Sequence, residues 1–312
     1  MSIFGTGYSS VSYEPVPQAS RLWALIRQEF TLIFRTKKGM SLYLLCMAYT
    51  VVKLVIMYIT LAPQTEILSR MADTAGRAVS GFSPYSVAFY NNHSTEGIGL
   101  VVFLLLTCVV SVRAIAGDRA VNALEFYWTR GISPWGYFTA KWLGSALLLG
   151  SVFVGGPLLL WLFGSLWAPD LTYLEQTWEF MPQVLLSLML KCLLLSFFAV
   201  GFSALSAAPN VAMFLWLILI LSTEMLGNVL TEVVRQVQRN SPMSSISEIP
   251  WYKLISPWEA VTRIEVYFAG DVPGPSDVED SRVWIAWLVL GLLAVFLLQR
   301  LRRFLRTSEA VA

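Results

Sequence analysis

The sequence predicts an all-α membrane protein with six transmembrane helices, an amphipathic interfacial helix ahead of them, and short helices in the loops. Of its 312 residues, 56% are hydrophobic and only 13% are charged, whereas a soluble domain carries about 25% charged residues. The apolar residues gather into several runs of roughly 20, the length that a helix needs to cross a hydrocarbon core of about 30 Å. These observations place the chain among the polytopic membrane proteins.

Polar segments divide the apolar sequence into six predicted spans. We expect the third span to be kinked, because Gly155-Gly156-Pro157 interrupts it. The chain is accordingly divided into a flexible tail at 1–19, an entry helix at 20–39 and a six-span domain at 40–312. The predicted spans are Met40–Leu61, Gly97–Ala116, Tyr137–Phe163, Val184–Ala207, Val211–Leu230 and Val283–Leu298.

The basic residues set the expected orientation, because loops on the cytoplasmic side of a membrane are enriched in Lys and Arg. With the N-terminus inside, the bases around Arg27, Arg119 and Arg302 fall in cytoplasmic regions, and the acidic segment 231–282 falls outside. We therefore expect both termini in the cytoplasm and a cytoplasmic loop at 117–136.

The predicted outer segment at 231–282 is richer in acidic than in basic residues and too long for a bare connection. Trp258, Val261 and Ile264 recur at helical spacing after Pro257, and proline is favoured in the first turn of a helix. The segment is therefore predicted to contain a short helix that lies at, or dips into, the outer leaflet.

The entry helix has one apolar face and one basic face. Arg27 and Arg35 fall on the polar side, and Ser20 is a suitable N-cap. This pattern is typical of a helix that lies in the membrane interface. The apolar residues, which fall within about a third of the helical circle at 100° per residue, are Leu22, Trp23, Ile26, Phe30, Ile33 and Phe34.

Glu29 departs from this pattern because it projects toward the apolar side of the entry helix. An isolated buried carboxylate is costly, so it is expected to have a partner. The candidates are an arginine of the first cytoplasmic region (Arg113, Arg119 or Arg130) or backbone donors of the loop. In the alternative, Glu29 reaches the edge of the helix and remains solvated.

The cytoplasmic loop carries charges of both signs. A helix that starts at Asp118 would place Asp118, Asn122, Glu125 and Thr129 on one stripe, with Arg119 and Arg130 beside it. A two-signed stripe suits a protein partner better than anionic lipid, which favours Lys and Arg alone. The alternative is a solvated amphipathic loop with no partner.

Three ionisable residues lie within the predicted spans: Lys53, Lys191 and Glu224. Charges at such depths are expensive and usually face protein or water. Their positions are compatible with Glu224 pairing with Lys53 or with Lys191. Two interpretations stay open, an ion pair that fixes the register of the helices and a polar lining near an outer gate or substrate path.

Two segments of the chain resemble the type-2 ABC exporter permeases. In the loop after their second span, those permeases carry an acid-Arg pair, a Leu/Glu-rich helix, a Pro-hydrophobic-Ser segment and a Gly/Ala-Lys ending. The loop here reads GDRAVNALEFYWTRGISPWGYFTAKW, and Asp118-Arg119, Leu124-Glu125, Ile132-Ser133 and Ala140-Lys141 match in order. The entry helix is similar to the family's opening helix, with Glu29 at its acidic position.

The resemblance implies a non-enzymatic subunit of a transporter in the bacterial cytoplasmic membrane. The loop would be a coupling helix that docks on a separate ABC ATPase subunit, through Asp118, Arg119, Asn122, Glu125, Thr129 and Arg130. The entry helix, with Arg27, Glu29 and Arg35, would be the connecting helix beside it. Two permease copies, as a homodimer or heterodimer, and two ATPases would form the exporter. ATP and Mg²⁺ would bind to the ATPase, because this sequence has no Gly-x-x-x-x-Gly-Lys-[Ser/Thr] loop.

Two other classes of function remain as alternatives, a secondary transporter or channel and a membrane scaffold without an ATPase. Secondary transporters often show inverted repeats with broken helices, and no convincing repeat is visible here. With one histidine and three cysteines, all three within apolar runs, the sequence offers no catalytic or metal-binding constellation. Nothing in it indicates nucleic-acid binding.

Overall fold

The computed structural model describes residues 18–61, 84–87, 89–90, 97–129, 131–168, 171–239, 254–269 and 280–311. Three predicted features fall wholly or partly outside these residues. They are the tail up to residue 17, Arg130, and the stretches 240–253 and 270–279 of the predicted outer segment.

The described residues form helices joined by turns and bends, and no β-strand occurs among them. Their helical content confirms the predicted all-α class. The helices are α1 Gln18–Arg35, α2 Lys37–Leu61, α3 Gly97–Val110, α4 Ala114–Ala120, α5 Ala123–Thr129, α6 Pro134–Phe153, α7 Gly155–Trp167, α8 Thr172–Trp178, α9 Met181–Ser203, α10 Pro209–Arg239, α11 Pro257–Ala269 and α12 Asp280–Val311.

Six stretches of the described chain are long and apolar enough to cross a membrane. Each overlaps one predicted span, so the six-span prediction is confirmed. Much of the apolar surface of α2, α10 and α12 is exposed, which suits hydrocarbon and would be unfavourable in water. The stretches are Lys37–Ile59, Val101–Ala120, Pro134–Trp167, Met181–Ser203, Pro209–Val233 and Val283–Arg303.

Helix α9 is the central element of the bundle. It packs extensively against both α6 and α11. The Trp142 indole N–H donates to the carbonyl of Leu193 at 2.9 Å, which ties α6 to α9. A Cβ placed on Gly201 would lie 3.0 Å from Leu297 Cδ1, so the absence of a side chain there allows α12 to approach α9 closely.

The third span is interrupted at Val154, where α6 ends and α7 begins. Pro157 has no backbone N–H to donate to the carbonyl of Phe153, so the helical hydrogen-bond ladder loses a bond at this point. The Gly155-Gly156-Pro157 sequence thus interrupts the span where the kink was predicted.

The short elements gather at the two ends of the bundle. The α1 end holds α1, α5, the 131–133 turn and α4, which forms the last part of the second apolar stretch, and the α11 end holds residues 84–87 and 89–90, α8 and α11. Helix α11 begins at Pro257, as the helical spacing predicted, and it buries Trp258, Val261 and Ile264.

Candidate functional site

A buried cluster of three charges joins three helices at the α1 end. Lys141 of α6 places its Nζ 2.5 Å from Glu29 Oε1 of α1 and 2.7 Å from Asp118 Oδ2 of α4. Lys141 is 1% exposed and Glu29 is 5% exposed. We call Glu29, Lys141 and Asp118 the charge triad, and with all three groups ionised it carries a net charge of −1.

Close contact between α1 and α6 brings Glu29 to Lys141. Glu29 lies on the buried face of α1 with Leu25 and Ile33, one helical turn away on either side. A Cβ on Gly144 of α6 would lie 3.0 Å from Glu29 Cγ and 3.5 Å from Ile26 Cα. Gly144 therefore provides the space in which α1 lies against α6.

The predicted partners of Glu29 were wrong, although the need for a partner was correct. Among the described residues Glu29 binds Lys141 rather than Arg113 or Arg119, and Arg130 lies outside those residues. Arg113 is exposed, and Arg119 is engaged elsewhere. Burial raises the pKa of Glu29 above its ordinary value of 4.5, and the nearby Lys141 ammonium opposes this increase.

Two tyrosines extend the triad toward α5. The Tyr137 hydroxyl donates to Asp118 Oδ2 at 2.8 Å, and the Tyr127 ring lies 5.3 Å from the Tyr137 ring between centroids. Gln28 Nε2 donates to the Tyr127 hydroxyl at 3.4 Å. Burial raises the pKa of Tyr127, so this hydroxyl stays protonated. Helix α5 is thereby connected to both α1 and α6.

Helices α4 and α9 cap each other. The Ser203 hydroxyl at the end of α9 accepts hydrogen bonds from the backbone N–H groups of Ile115 at 3.0 Å and Ala116 at 2.8 Å. These amides belong to the first turn of α4 and have no acceptor within that helix. In return, Arg119 Nη1 donates to the carbonyl of Ala204, the C-cap residue of α9, at 3.0 Å.

The loop contains two short helices, so the prediction of one continuous helix from Asp118 was wrong. Helix α4 ends at Ala120 and α5 begins at Ala123. Asn122 between them has a φ of 54°, in the left-handed region that asparagine tolerates better than most residues. This reversal breaks the helical register and changes which side chains share a face.

The predicted stripe is therefore divided. Asp118 points to Lys141 and Arg119 to the carbonyl of Ala204, both inside the protein, whereas Asn122, Glu125 and Thr129 are exposed. Beneath them, the buried Leu124 and Tyr127 anchor α5. We call the exposed set the loop face, and it consists of Val121, Asn122, Glu125, Phe126 and Thr129.

Among the described bundle residues, a second buried ion pair lies toward the α11 end. Lys191 Nζ of α9 is 2.6 Å from Glu265 Oε2 of α11, and both side chains are fully buried. The Lys191 ammonium also lies 4.8 Å from the centroid of the Trp258 ring. At 1.5 Å per residue, Lys191 lies about 15 Å along α9 from Met181, the first residue of that helix. Because Glu265 contacts it there, α11 reaches well down the bundle.

Glu224 does not pair with either predicted lysine. It accepts a hydrogen bond from Ser256 Oγ at 2.8 Å, and it is only partly buried. Lys53 donates to the carbonyl oxygen of Phe89 at 2.5 Å and lies 5.4 Å from the centroid of the Tyr49 ring. The predicted pairing of Glu224 was therefore wrong.

The sequence reasoning missed Glu265, although a signal for it was present. Glu265 lies seven residues after Trp258 and four after Val261, so it falls on the apolar face of the predicted helix. Like Glu29, it is a carboxylate placed among apolar residues on one face of a helix. Helical spacing locates a buried carboxylate, but the identity of its lysine depends on tertiary packing.

No protein-family model matches this chain, and no curated protein matches it significantly. Among the described residues, no three His, Cys, Asp or Glu side chains are grouped so that they could hold a metal ion. The candidate site is an exposed loop that charged and capping contacts attach to α1, α6 and α9, so a force on the loop would reach these helices.

Proposed function

We propose that this chain is the permease subunit of an ATP-driven exporter, similar to the type-2 ABC exporter permeases, and that the loop face docks a separate ATPase subunit. The supporting observation is the loop face itself. Phe126 is 53% exposed and Val121 is 73% exposed beside the charged Glu125. An exposed aromatic side chain next to a charge is suited to a protein interface.

The contacts behind the loop face support a role in transmitting motion. Tyr127 connects α5 to α1 through Gln28, and Asp118 connects α4 to α6 through Lys141. Ser203 and Arg119 connect α4 to α9. A displacement of the loop by an ATPase would therefore move three helices of the bundle together.

The proposal also includes a second permease copy, identical or homologous. Helices α2, α10 and α12 offer exposed apolar surface for this contact as well as for lipid. Substrate would pass between the two copies, and ATP with Mg²⁺ would be bound and hydrolysed by the ATPase subunits.

Substitution of the loop face tests the proposal. The transporter is purified from native membranes through a tag on this chain, and ATP hydrolysis and subunit stoichiometry are measured. Phe126→Ala and Glu125→Lys are expected to weaken retention of the ATPase, by roughly thirtyfold if Phe126 is worth about 2 kcal/mol. Glu175→Lys is the matched control, because Glu175 is an exposed glutamate on α8 at the other end.

A protein that transports substrate with no ATPase bound would contradict the proposal and favour a secondary transporter or channel. A stable complex without transport or ATP hydrolysis would instead favour a scaffold. Arg119 is unsuitable as a docking probe, because its loss would remove the bond to the carbonyl of Ala204 and change the fold of the loop itself.

A further inference from the structure

The outward side of α1 combines an aromatic edge with a basic edge. Trp23 is 61% exposed and Phe34 is 44% exposed, and at 100° per residue they project within about 20° of each other. Arg27 and Arg35 are exposed on the adjoining side of the helix. The inward side, by contrast, carries Glu29 and packs on α6.

The positive charge on the outward side of α1 is not offset by an exposed acidic residue of α1 or α2. Lys37 and Lys38 in the first turn of α2 are also exposed, which adds two positive charges beside Arg35. Glu29 is the single acidic residue in the sequence from Gln18 to Leu61, and it is buried against Lys141. The exposed surface formed by Trp23, Arg27, Phe34, Arg35, Lys37 and Lys38 is called the basic edge.

We propose that the basic edge binds anionic phospholipid headgroups of the leaflet that it faces. Arg and Lys suit the phosphate groups, and Trp23 and Phe34 suit the boundary between headgroups and acyl chains. The apolar stretch Lys37–Ile59 follows α1 after a single residue, Thr36. The basic edge therefore lies next to the point where this stretch would enter the membrane. The position of this surface directly before an apolar stretch of membrane-spanning length favours lipid over an acidic protein.

The basic edge and the loop face are linked through one helix. The outward side of α1 would hold lipid, while Glu29 on its inward side contacts Lys141, which also contacts Asp118 of α4. We expect anionic lipid to hold α1 in place and so to stabilise the loop in its docking position. This second step, lipid control of the docking loop, rests on the proposed function, whereas lipid binding itself does not.

Lipid retention on the intact protein tests the binding step. The chain is reconstituted in nanodiscs of phosphatidylcholine with phosphatidylglycerol, released into mild detergent, and the retained phosphatidylglycerol is counted by native mass spectrometry. Because each basic residue near a charged surface contributes about 1 kcal/mol, Arg27→Gln/Arg35→Gln is expected to weaken retention by about fivefold for each arginine removed. Arg27→Lys/Arg35→Lys keeps the charge and is expected to retain the lipid.

A matched removal of charge elsewhere distinguishes a site from general attraction. Arg302 and Arg303 are exposed bases on α12, and Arg302→Gln/Arg303→Gln removes the same net charge. We expect this pair to leave the retention almost unchanged. Equal losses from both pairs, or no loss from the α1 pair, would overturn the inference. Trp23→Ala/Phe34→Ala is expected to weaken retention while the charge stays the same.

The regulatory step has a separate readout. In the complex with its ATPase, phosphatidylglycerol is expected to raise the rate of ATP hydrolysis in the wild type but not in Arg27→Gln/Arg35→Gln. If lipid is retained at α1 and no ATPase is found, the proposed function fails while the lipid site stands. If an ATPase is present and its rate ignores phosphatidylglycerol, the regulatory step fails.

Discussion

The two buried lysines of the ion-pair clusters, Lys141 and Lys191, make bonds of nearly equal length but lie in different charge environments. Lys191 has one carboxylate, Glu265, and the pair is neutral and fully buried. Lys141 is shared by Glu29 and Asp118, and the Asp118 side chain is 13% exposed. The first arrangement fixes one helix against another, whereas the second leaves one carboxylate in excess beside an exposed loop.

This difference indicates which cluster can tolerate a change of charge. In the Lys191–Glu265 pair, the loss of either group leaves a buried ion without its counter-ion. In the charge triad, loss of one carboxylate leaves Lys141 with the other. We therefore expect the pair near α11 to be the more rigid joint and the triad to be the more adjustable one.

The largest effect is expected when the Lys191–Glu265 pair is broken. Glu265→Gln leaves the Lys191 ammonium buried without a carboxylate, which lowers the free energy of unfolding by about 3–5 kcal/mol. Reversible unfolding in mixed detergent micelles measures this loss. The double variant Lys191→Met/Glu265→Leu replaces both charges by apolar side chains and is expected to recover most of the stability. A single variant as stable as the wild type would contradict the comparison.

A somewhat smaller loss is expected when the shared lysine of the triad is removed. Lys141→Met leaves Glu29 and Asp118 facing each other without a cation, but Asp118 is partly solvated, so we expect a loss of about 3 kcal/mol. Adding Glu29→Gln to this variant removes one of the two carboxylates and should recover part of the loss. A double-mutant cycle on the unfolding free energy measures the coupling, and strictly additive effects would show that the triad does not act as a unit.

The periodicity of the sequence predicted the six spans, the amphipathic α1, the interruption at Gly155-Gly156-Pro157 and the start of α11 at Pro257. These features depend on residues that are close together in the chain. The partner of Glu29 could not be predicted in the same way, because Lys141 is 112 positions away. Its selection depends on Gly144, which allows α1 and α6 to approach each other.

The loop shows the same limit at a shorter range. The prediction assumed one continuous helix through Asn122. That helix would place Asp118 and Arg119 on the same side as Glu125. The left-handed conformation of Asn122 separates them, and the inward direction of Arg119 is set by the carbonyl of Ala204 on another helix. Capping between helices is a tertiary contact, which the pattern of a single segment does not contain.

Removal of the cap on α4 is expected to have an intermediate effect. Ser203→Ala deprives the amides of Ile115 and Ala116 of their acceptor and should lower the unfolding free energy by about 1–2 kcal/mol. Ser196→Ala is the matched control, since Ser196 is buried on the same helix and its hydroxyl donates only within α9 among the contacts of the described residues. Hydrogen exchange of the two amides should increase in Ser203→Ala alone. Unchanged exchange would show that Ser203 is not their main acceptor.

The smallest expected effect is a pH dependence that arises from Glu29. Because burial raises its pKa above 4.5 in the folded state, the folded protein binds a proton more readily than the unfolded chain does. The stability that Glu29 contributes is therefore fully present below pH 4.5 and is lost as the pH rises through the higher folded pKa. Lys141 and Asp118 both face this carboxyl group. The Lys141 ammonium favours its ionised form, and the Asp118 carboxylate opposes it. Unfolding measured across this pH range should show the loss in the wild type and not in Glu29→Gln, which resembles the protonated form at every pH. An equal slope in both proteins would assign the dependence to another group.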